Sequence, residues 1–171
     1  MGSEDTFYLE QTYGTDRHLP RENLLQYGKA IMLIVGADGT ISDAEMACWL
    51  GIAKAMGVTD DVCEEWSKFD WRNGRLEDCI PGLSTDPQNP GELTLAFLYD
   101  AIRISRADGV YGAAEKAAVA KAARTLGIPQ SSVNALESLV EMEQSVRTLR
   151  LSLLYPTIPP LRASEQRPRF R

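Results

Sequence analysis

Apolar residues recur at intervals of three and four along most of this chain, the spacing of one face of an α-helix. In the first half they define one helix that ends at Gly39 and a second that runs from Ser42 to Gly57. In the second half the same pattern returns before Gly109 and again before Gly127. No alternation of period two, typical of strands, competes with it. The sequence therefore predicts an all-α fold of six to seven helices.

The two halves of the chain are copies of one another. Residues 20–58 align with residues 90–128 without a gap and share 12 identical residues in 39 positions. Such a repeat predicts two pseudo-symmetric helical hairpins that arose by internal duplication. After the second hairpin, Pro129 suits the first turn of a helix. The apolar residues that follow keep helical spacing and predict a long C-terminal helix: Val133, Leu136, Leu139, Val140, Val146, Leu149, Leu153 and Leu154.

Changes in composition set the expected boundaries. We expect a polar N-terminal extension over residues 1–19, a helical domain over 20–154 and a tail rich in Pro and Arg over 155–171. Within the domain, the pattern predicts repeat 1 over 20–66, a turn-rich linker over 67–89, repeat 2 over 90–136 and the C-terminal helix over 130–154.

The charge distribution excludes one class of partner. The formal net charge of the chain is −6, and from Leu161 onward there are four Arg and one Glu, so the tail is basic and the body is acidic. Nucleic-acid binding draws its affinity from clustered Lys and Arg, which the body lacks. We therefore expect no nucleic-acid partner.

The cysteines and the N-terminus bear on the compartment. Cys48, Cys63 and Cys79 are odd in number and too widely spaced for a disulfide framework or a zinc knuckle, which predicts reduced thiols and a cytoplasmic protein. No apolar run is long enough to span a bilayer, and no secretory signal is visible. Residues 1–6 fit the loose N-myristoylation pattern at Gly2, or are a remnant of cloning. Peripheral association with a membrane therefore stays open.

Two acidic turns carry the candidate chemistry. ADGTISDAE spans residues 37–45 and ADGVYGAAE spans residues 107–115. Against the calcium loop of an EF-hand, Asp38, Gly39, Ile41 and Glu45 match the fifth, sixth, eighth and twelfth positions, but neither turn offers a side-chain oxygen at the first and third. Because Ca²⁺ takes six to eight oxygens, that shortage excludes an ordinary EF-hand.

Two interpretations of these turns remain. In the first, Ser42 and Glu45 form a helix capping box, and the Asp residues stabilise their own turns. In the second, pseudo-symmetry brings the turns together around a hard cation, Mg²⁺ or Ca²⁺, since only oxygen ligands are on offer. The candidate ligands are Asp38, Glu45, Asp108 and Glu115.

The sequence contains neither the residues of a catalytic triad nor a phosphate-binding loop. His18 is the only histidine and lies in the polar N-terminal segment, which leaves little from which to build a triad. The glycines are single, so no Gly-rich phosphate loop is present. Packing between helices is the default role of the three tryptophans. We expect a protein that is not an enzyme.

The paired hairpins, each written as an apolar helix, ADG, a short turn and a Glu-led helix that ends in Gly, resemble the TerB-like family. That family includes the bacterial tellurite-resistance protein TerB and the N-terminal domain of the DjlA co-chaperone. The resemblance implies a compact helical domain, usually non-enzymatic, found in stress-response systems and often in membrane-proximal complexes. It also implies a metal-binding role for the acidic residues that match the motif, Asp38, Glu45, Asp108 and Glu115.

The tail and the N-terminal extension depart from a plain family member, so we expect the fold to serve here as an adaptor or scaffold that binds a protein partner. The partner would dock on a helical face or on the tail, whose Pro run and Arg side chains suit an acidic groove. The tail residues in question are Tyr155, Pro156, Pro159, Pro160, Arg162, Arg167, Arg169 and Arg171. Divalent-cation binding or sensing through the acidic turns is the alternative function.

Overall fold

The computed structural model describes residues 3–89 and 91–156, and within those ranges the chain forms seven α-helices and no β-strand. The predicted all-α class and helix number are confirmed. Short 3₁₀ turns cover Gly36–Asp38, Leu76–Asp78 and Ile80–Leu83. The helices are α1 (Ser3–Tyr13), α2 (Arg21–Val35), α3 (Asp43–Ala55), α4 (Asp60–Ser67), α5 (Thr94–Ser105), α6 (Ala113–Thr125) and α7 (Gln130–Leu154).

The predicted hairpins are α2 with α3 and α5 with α6, and the same backbone geometry closes both. Gly39 has a φ of 102° and Gly109 a φ of 90°. Both values lie in the left-handed region, which glycine enters without the clash that a Cβ would cause. Gly39 and Gly109 therefore share a backbone conformation as well as a residue type. Both turns require glycine because of this positive φ.

Helices α2 and α5, one from each repeat, form the centre of the core. Phe97, Leu98 and Ile102 of α5 are fully buried, and so are Ala30 and Ile31 of α2. The two helices pack on each other, while α7 covers α5 and the turn Ile80–Leu83 covers α2. Burying a side chain such as Phe or Leu stabilises the fold by about 1.5–3 kcal/mol, so this contact holds the two repeats together.

Two tryptophans fill the space between helices of the first repeat. Trp66 of α4 lies against Gly28 of α2, where a Cβ would sit 2.0 Å from the ring. The indole N–H of Trp66 donates to the Leu25 carbonyl at 3.1 Å, and the ring of Trp49 lies 4.8 Å away between centroids. Because residue 28 has no side chain, α2 and the ring can approach this closely.

The polar N-terminal extension contains helix α1, which docks on the core. Leu9 is only 5% exposed there, and the Tyr13 hydroxyl reaches Asp100 of α5. Few apolar residues line α1 and Phe7 points to solvent, so hydrophobic periodicity gave no sign of this helix.

Helix α7 confirms the predicted long C-terminal helix. Its first half packs on the body of the protein, and its second half is exposed. Val133 and Val140 in its first half are buried against the body. From residue 141 to residue 150 every position is exposed. Among the described residues, no helix, α7 included, combines the length and hydropathy that a bilayer crossing requires.

Candidate functional site

The first acidic turn is held by its own side chains. Asp38 Oδ1 accepts from the Thr40 amide at 2.8 Å and from the Thr40 hydroxyl at 3.1 Å. Glu45 Oε2 accepts from the Ser42 amide at 2.7 Å, and the Ser42 hydroxyl in turn accepts from the Glu45 amide at 3.3 Å. The capping box is therefore present, and it satisfies two donors that the start of α3 would leave free.

The second acidic turn repeats half of this arrangement. Asp108 Oδ1 accepts from the Val110 amide at 2.8 Å, and Glu115 Oε2 accepts from the Gly112 amide at 2.7 Å. Gly112 has no hydroxyl to return the bond to Glu115. The capping interpretation thus accounts for the bond of each Asp to its own turn and for the bond of each Glu to the amide at the start of its helix.

The first turn also approaches the start of α6. Its 3₁₀ segment Gly36–Asp38 packs against α6. Burial raises the pKa of the Glu115 carboxyl, and the nearby negative charges of Glu45 and Asp38 raise that pKa further. Glu45 and Glu115 are only 5% and 4% exposed. Three of the four predicted acidic residues therefore share one electrostatic neighbourhood.

Glu115 also carries an oxygen that its cap does not use. Glu115 Oε1 and Ser105 Oγ are both buried, and neither has a hydrogen-bond partner among the described residues. The Ser105 hydroxyl is near enough to lower the Glu115 pKa without reaching hydrogen-bond geometry. A buried carboxylate oxygen without a donor is costly, by about 1–3 kcal/mol, and this one lies beside other carboxylates.

This neighbourhood is not a formed metal centre. In the two described ranges, no three Asp, Glu, His or Cys side chains are grouped so that they could hold a metal ion. Asp38 and Asp108 bond the turns in which they lie. The metal role of the four acidic residues stays a prediction.

Two residues of the linker cover the first turn. The Trp71 ring lies against Gly36, where a Cβ would come within 2.5 Å of it. The Arg72 guanidinium stacks over that ring at 4.1 Å and donates to the Gly39 carbonyl at 3.3 Å. Sequence reasoning treated this linker as a turn-rich connection and missed the contact, because nothing in its composition indicates where it packs.

A buried polar cluster joins α1, α2 and α5, and sequence reasoning missed it as well. Asp100 is fully buried and accepts from the Tyr13 hydroxyl at 2.9 Å and from the Tyr27 hydroxyl at 2.9 Å. Arg103 lies 3.4 Å from the same carboxylate. Burial raises the Asp100 pKa to about 6, while Arg103 and the two tyrosines lower it. The cluster fixes α1 to the core.

The remaining single residues show no reactive arrangement. Cys48, Cys63 and Cys79 are free thiols, and burial raises the pKa of each, which reduces their reactivity because the thiolate is the nucleophile. His18 is exposed. A cavity beside Glu45 and Trp49 measures about 10 Å³, which is room for a single water.

Helix α7 carries a stripe of apolar side chains on the side that faces away from the core. We call it the outer stripe; its members alternate in steps of three and four residues and are 39–72% exposed: Leu139, Met142, Val146, Leu149 and Leu153. With about 100° of rotation per residue, the stripe lies roughly opposite buried Val133 and Val140. The sequence analysis placed all these apolar residues in one series with helical spacing. The structure shows that Val133 and Val140 face the core while the outer stripe faces solvent.

An exposed stripe with this spacing is a feature of interaction surfaces. Helices that pair through a coiled-coil seam repeat apolar residues in alternating steps of three and four. Large contiguous exposed apolar patches on proteins mark surfaces that bind another protein, a membrane or a ligand. Within the described ranges, all five residues of the stripe stay exposed to solvent.

The tail follows directly after this stripe. Tyr155 is exposed, and its amide donates to the Leu151 carbonyl at 2.9 Å, which caps α7. Pro156 is the last described residue. The other predicted docking residues lie outside the described residues: Pro159, Pro160, Arg162, Arg167, Arg169 and Arg171.

Comparison with known proteins gives one informative match. The chain matches no protein-family model and no curated protein. Among solved structures it is similar to the crystal structure of a tellurite resistance protein from Nostoc punctiforme, with a TM-score of 0.78 and 32% sequence identity. The match covers 92% of this chain and 96% of that one.

Proposed function

Because this chain belongs to the TerB-like family of tellurite-resistance proteins, we propose that it is a non-enzymatic protein-interaction module. It acts as an adaptor or scaffold in a cytoplasmic stress-response system that protects against tellurite. The complex it joins can lie next to a membrane, which this chain would contact from the surface.

The outer stripe of α7 is the observation that carries this proposal. Met142, Leu149 and Leu153 are 59–72% exposed on a helix that the rest of the protein already anchors through Val133 and Val140. Exposed large apolar side chains cost solvation free energy that a partner surface recovers, at about 25 cal/mol per Å² buried. An anchored helix loses little further conformational entropy when it binds.

The features of the described interior support a binding role over catalysis. The lone histidine is exposed, the thiols are shifted towards the neutral form, and the small cavity beside Glu45 has no room for a substrate. The buried Asp100 has its tyrosine and arginine partners and needs no substrate to explain it.

Growth on tellurite tests the proposal. The gene is deleted in the source strain and restored as wild type, as the stripe variant Val146→Glu/Leu149→Glu, or as the control Gln144→Glu/Thr148→Glu. The control adds the same charge to exposed positions of the same helix away from the stripe. We expect wild type and control to restore growth and the stripe variant to fail at equal protein level. Full growth with the stripe variant would refute the proposal.

The tail is tested separately. Partners captured by the full chain are compared with those captured by a chain that ends at Tyr155, with both proteins at the same concentration. The tail hypothesis expects the shorter chain to lose partners, because the Pro and Arg residues beyond Tyr155 would supply part of the docking surface. Identical partner sets would remove the tail from the proposal and leave the outer stripe.

Divalent-cation binding is the second candidate, favoured by the unpaired buried oxygen of Glu115 near Glu45 and Asp38. Mg²⁺ or Ca²⁺ would relieve the repulsion among these carboxylates. Titration calorimetry with each metal compares wild type, Glu115→Gln and the exposed control Asp43→Asn. A Gln at position 115 can still cap the helix. A loss of binding heat in Glu115→Gln but not in Asp43→Asn therefore supports a cation site. An absence of heat in wild type at millimolar metal ends this candidate.

A further inference from the structure

We propose that the outer stripe of α7 binds the same stripe of a second copy of this chain, with the two helices antiparallel. The inference rests on the interaction role proposed above and names the partner. It is argued from the spacing of the stripe, from the charges beside it and from the direction in which the stripe faces.

The stripe supplies matched apolar layers when it meets itself in reverse. In coiled-coil terms its members occupy alternating a and d positions. In an antiparallel pair an a position faces a d position, so Val146 lies opposite Leu149 of the second copy and Met142 lies opposite Leu153 of the second copy. The two-fold axis repeats both layers, which gives four apolar layers across the interface. Such an interface is isologous and therefore closed.

The charges beside the stripe select this orientation. Glu143 and Arg150 both occupy e positions, which flank the seam. In the antiparallel register set by the apolar layers, Glu143 faces Arg150 of the second copy, and the symmetry creates the same ion pair twice. In a parallel pair these residues would instead face Ser138 and Ser145. Only the antiparallel arrangement pairs the charges.

The structure already holds one of these charges in place. The Tyr99 hydroxyl donates to the two Glu143 carboxylate oxygens at 2.9 and 3.1 Å, while Glu143 stays exposed. A carboxylate has further acceptor sites that an arginine can use. The opposite flank of the stripe carries Ser145 and Ser152, whose small side chains let a second helix come close.

The body of each copy leaves room for the partner. The stripe faces away from the core side marked by Val133 and Val140, so the two bodies lie on the outer sides of the helix pair. The seam from Leu139 to Leu153 spans little more than two heptads. Interfaces below about 1,200 Å² belong to the weak class, and we expect a dissociation constant in the micromolar range.

Sedimentation equilibrium of the full chain over a range of micromolar concentrations tests the pairing. We expect wild type and the control Gln144→Glu/Thr148→Glu to pass from monomer to dimer together. The stripe variant Val146→Glu/Leu149→Glu should remain monomeric, because it places four carboxylates in the seam. Thermal melts establish that all three proteins are folded.

Charge reversal tests the orientation. Arg150→Glu alone, or Glu143→Arg alone, puts like charges opposite each other and should weaken self-association about tenfold or more. An equimolar mixture of the two single variants should restore dimers at wild-type strength, because each chain then supplies the charge that the other lacks. Tyr99→Phe removes the bond that Glu143→Arg also breaks and should leave the dimer intact.

The outcomes separate this inference from the function on which it rests. Wild type that stays monomeric throughout, or single reversals that associate as well as wild type, would overturn the antiparallel pair. If in that case the stripe variant still failed to restore growth on tellurite, the interaction role would stand with another protein as the occupant. If dimers formed as predicted and the stripe variant grew normally, the proposed function would fail and the pairing would stand.

Discussion

The Tyr27 hydroxyl of α2 donates a 2.9 Å hydrogen bond to the Asp100 carboxylate of α5, which joins the two repeats inside the core. The duplication places Asp100 where the first repeat has Ala30. The second repeat thus carries a buried acid that the first repeat lacks, and the Tyr13 hydroxyl of α1 contacts both of its oxygens, at 2.9 and 3.0 Å. This departure from symmetry adds a polar attachment for the N-terminal helix to the burial of Leu9.

The Asp100 cluster predicts that stability falls as pH rises through mildly acidic values. The folded pKa of about 6 lies above the ordinary value of 3.8, so the folded state binds this proton more tightly than the unfolded state does. The stabilising contribution of Asp100 is therefore greatest below about pH 4. It falls by roughly 3 kcal/mol in total as pH rises towards 6, and it does not change further above that pH.

Urea unfolding of wild type and Asp100→Asn at several pH values between 4 and 7 measures that contribution. The free-energy advantage of wild type over the variant should shrink as pH rises, while the exposed control Asp43→Asn shows no comparable trend. An advantage that stays level, or grows towards pH 7, would contradict the assignment of the raised pKa to Asp100.

Gly28→Ala should destabilise the protein by about 3 kcal/mol, because the added Cβ would meet the buried Trp66 ring at 2.0 Å. Gly51→Ala is the matched control, since residue 51 lies inside α3 with nothing within 4 Å of an added Cβ. That change should stabilise by about 0.5–1 kcal/mol through helix propensity. Equal effects of the two substitutions in denaturant unfolding would show that Trp66 does not lie against α2.

The capping box predicts a graded series at the start of α3. Ser42→Ala removes the hydroxyl that accepts from the Glu45 amide and should cost about 1 kcal/mol, whereas Ser42→Gly should cost only a few tenths. In the second repeat, Gly112→Ser should gain a few tenths by completing the box. Thermal unfolding with a shared reference resolves the series, and a neutral Ser42→Ala would argue against the cap.

Local patterns in the sequence were enough to predict much of the fold. The spacing of apolar residues gave the paired hairpins and α7, and Ser42 with Glu45 gave the cap, because these features depend on residues only a few positions apart. The resemblance to the TerB-like family rested on the same local elements and is confirmed by the match to the Nostoc protein.

Features that depend on distant contacts could not be predicted in this way. Helix α1 buries Leu9 and packs on α3. Asp100 accepts a hydrogen bond from Tyr13, which lies 87 positions earlier in the chain. Helix α7 shows the same limit: Val140 and Val146 both fit helical spacing, yet one is buried and the other is exposed, and only the position of the body decides which. The approach of Glu45 to Glu115 likewise depends on how the two hairpins pack.

A photo-crosslinking residue placed at Val146, and separately at Thr148, tests the central claim most directly when the full chain is irradiated in tellurite-treated cells. The claim that the outer stripe is the binding surface predicts intermolecular cross-links from position 146 and none from position 148. A product of twice the mass of the chain identifies a second copy as the occupant. Failure of position 146 to cross-link, or equal cross-linking from both positions, would contradict the claim.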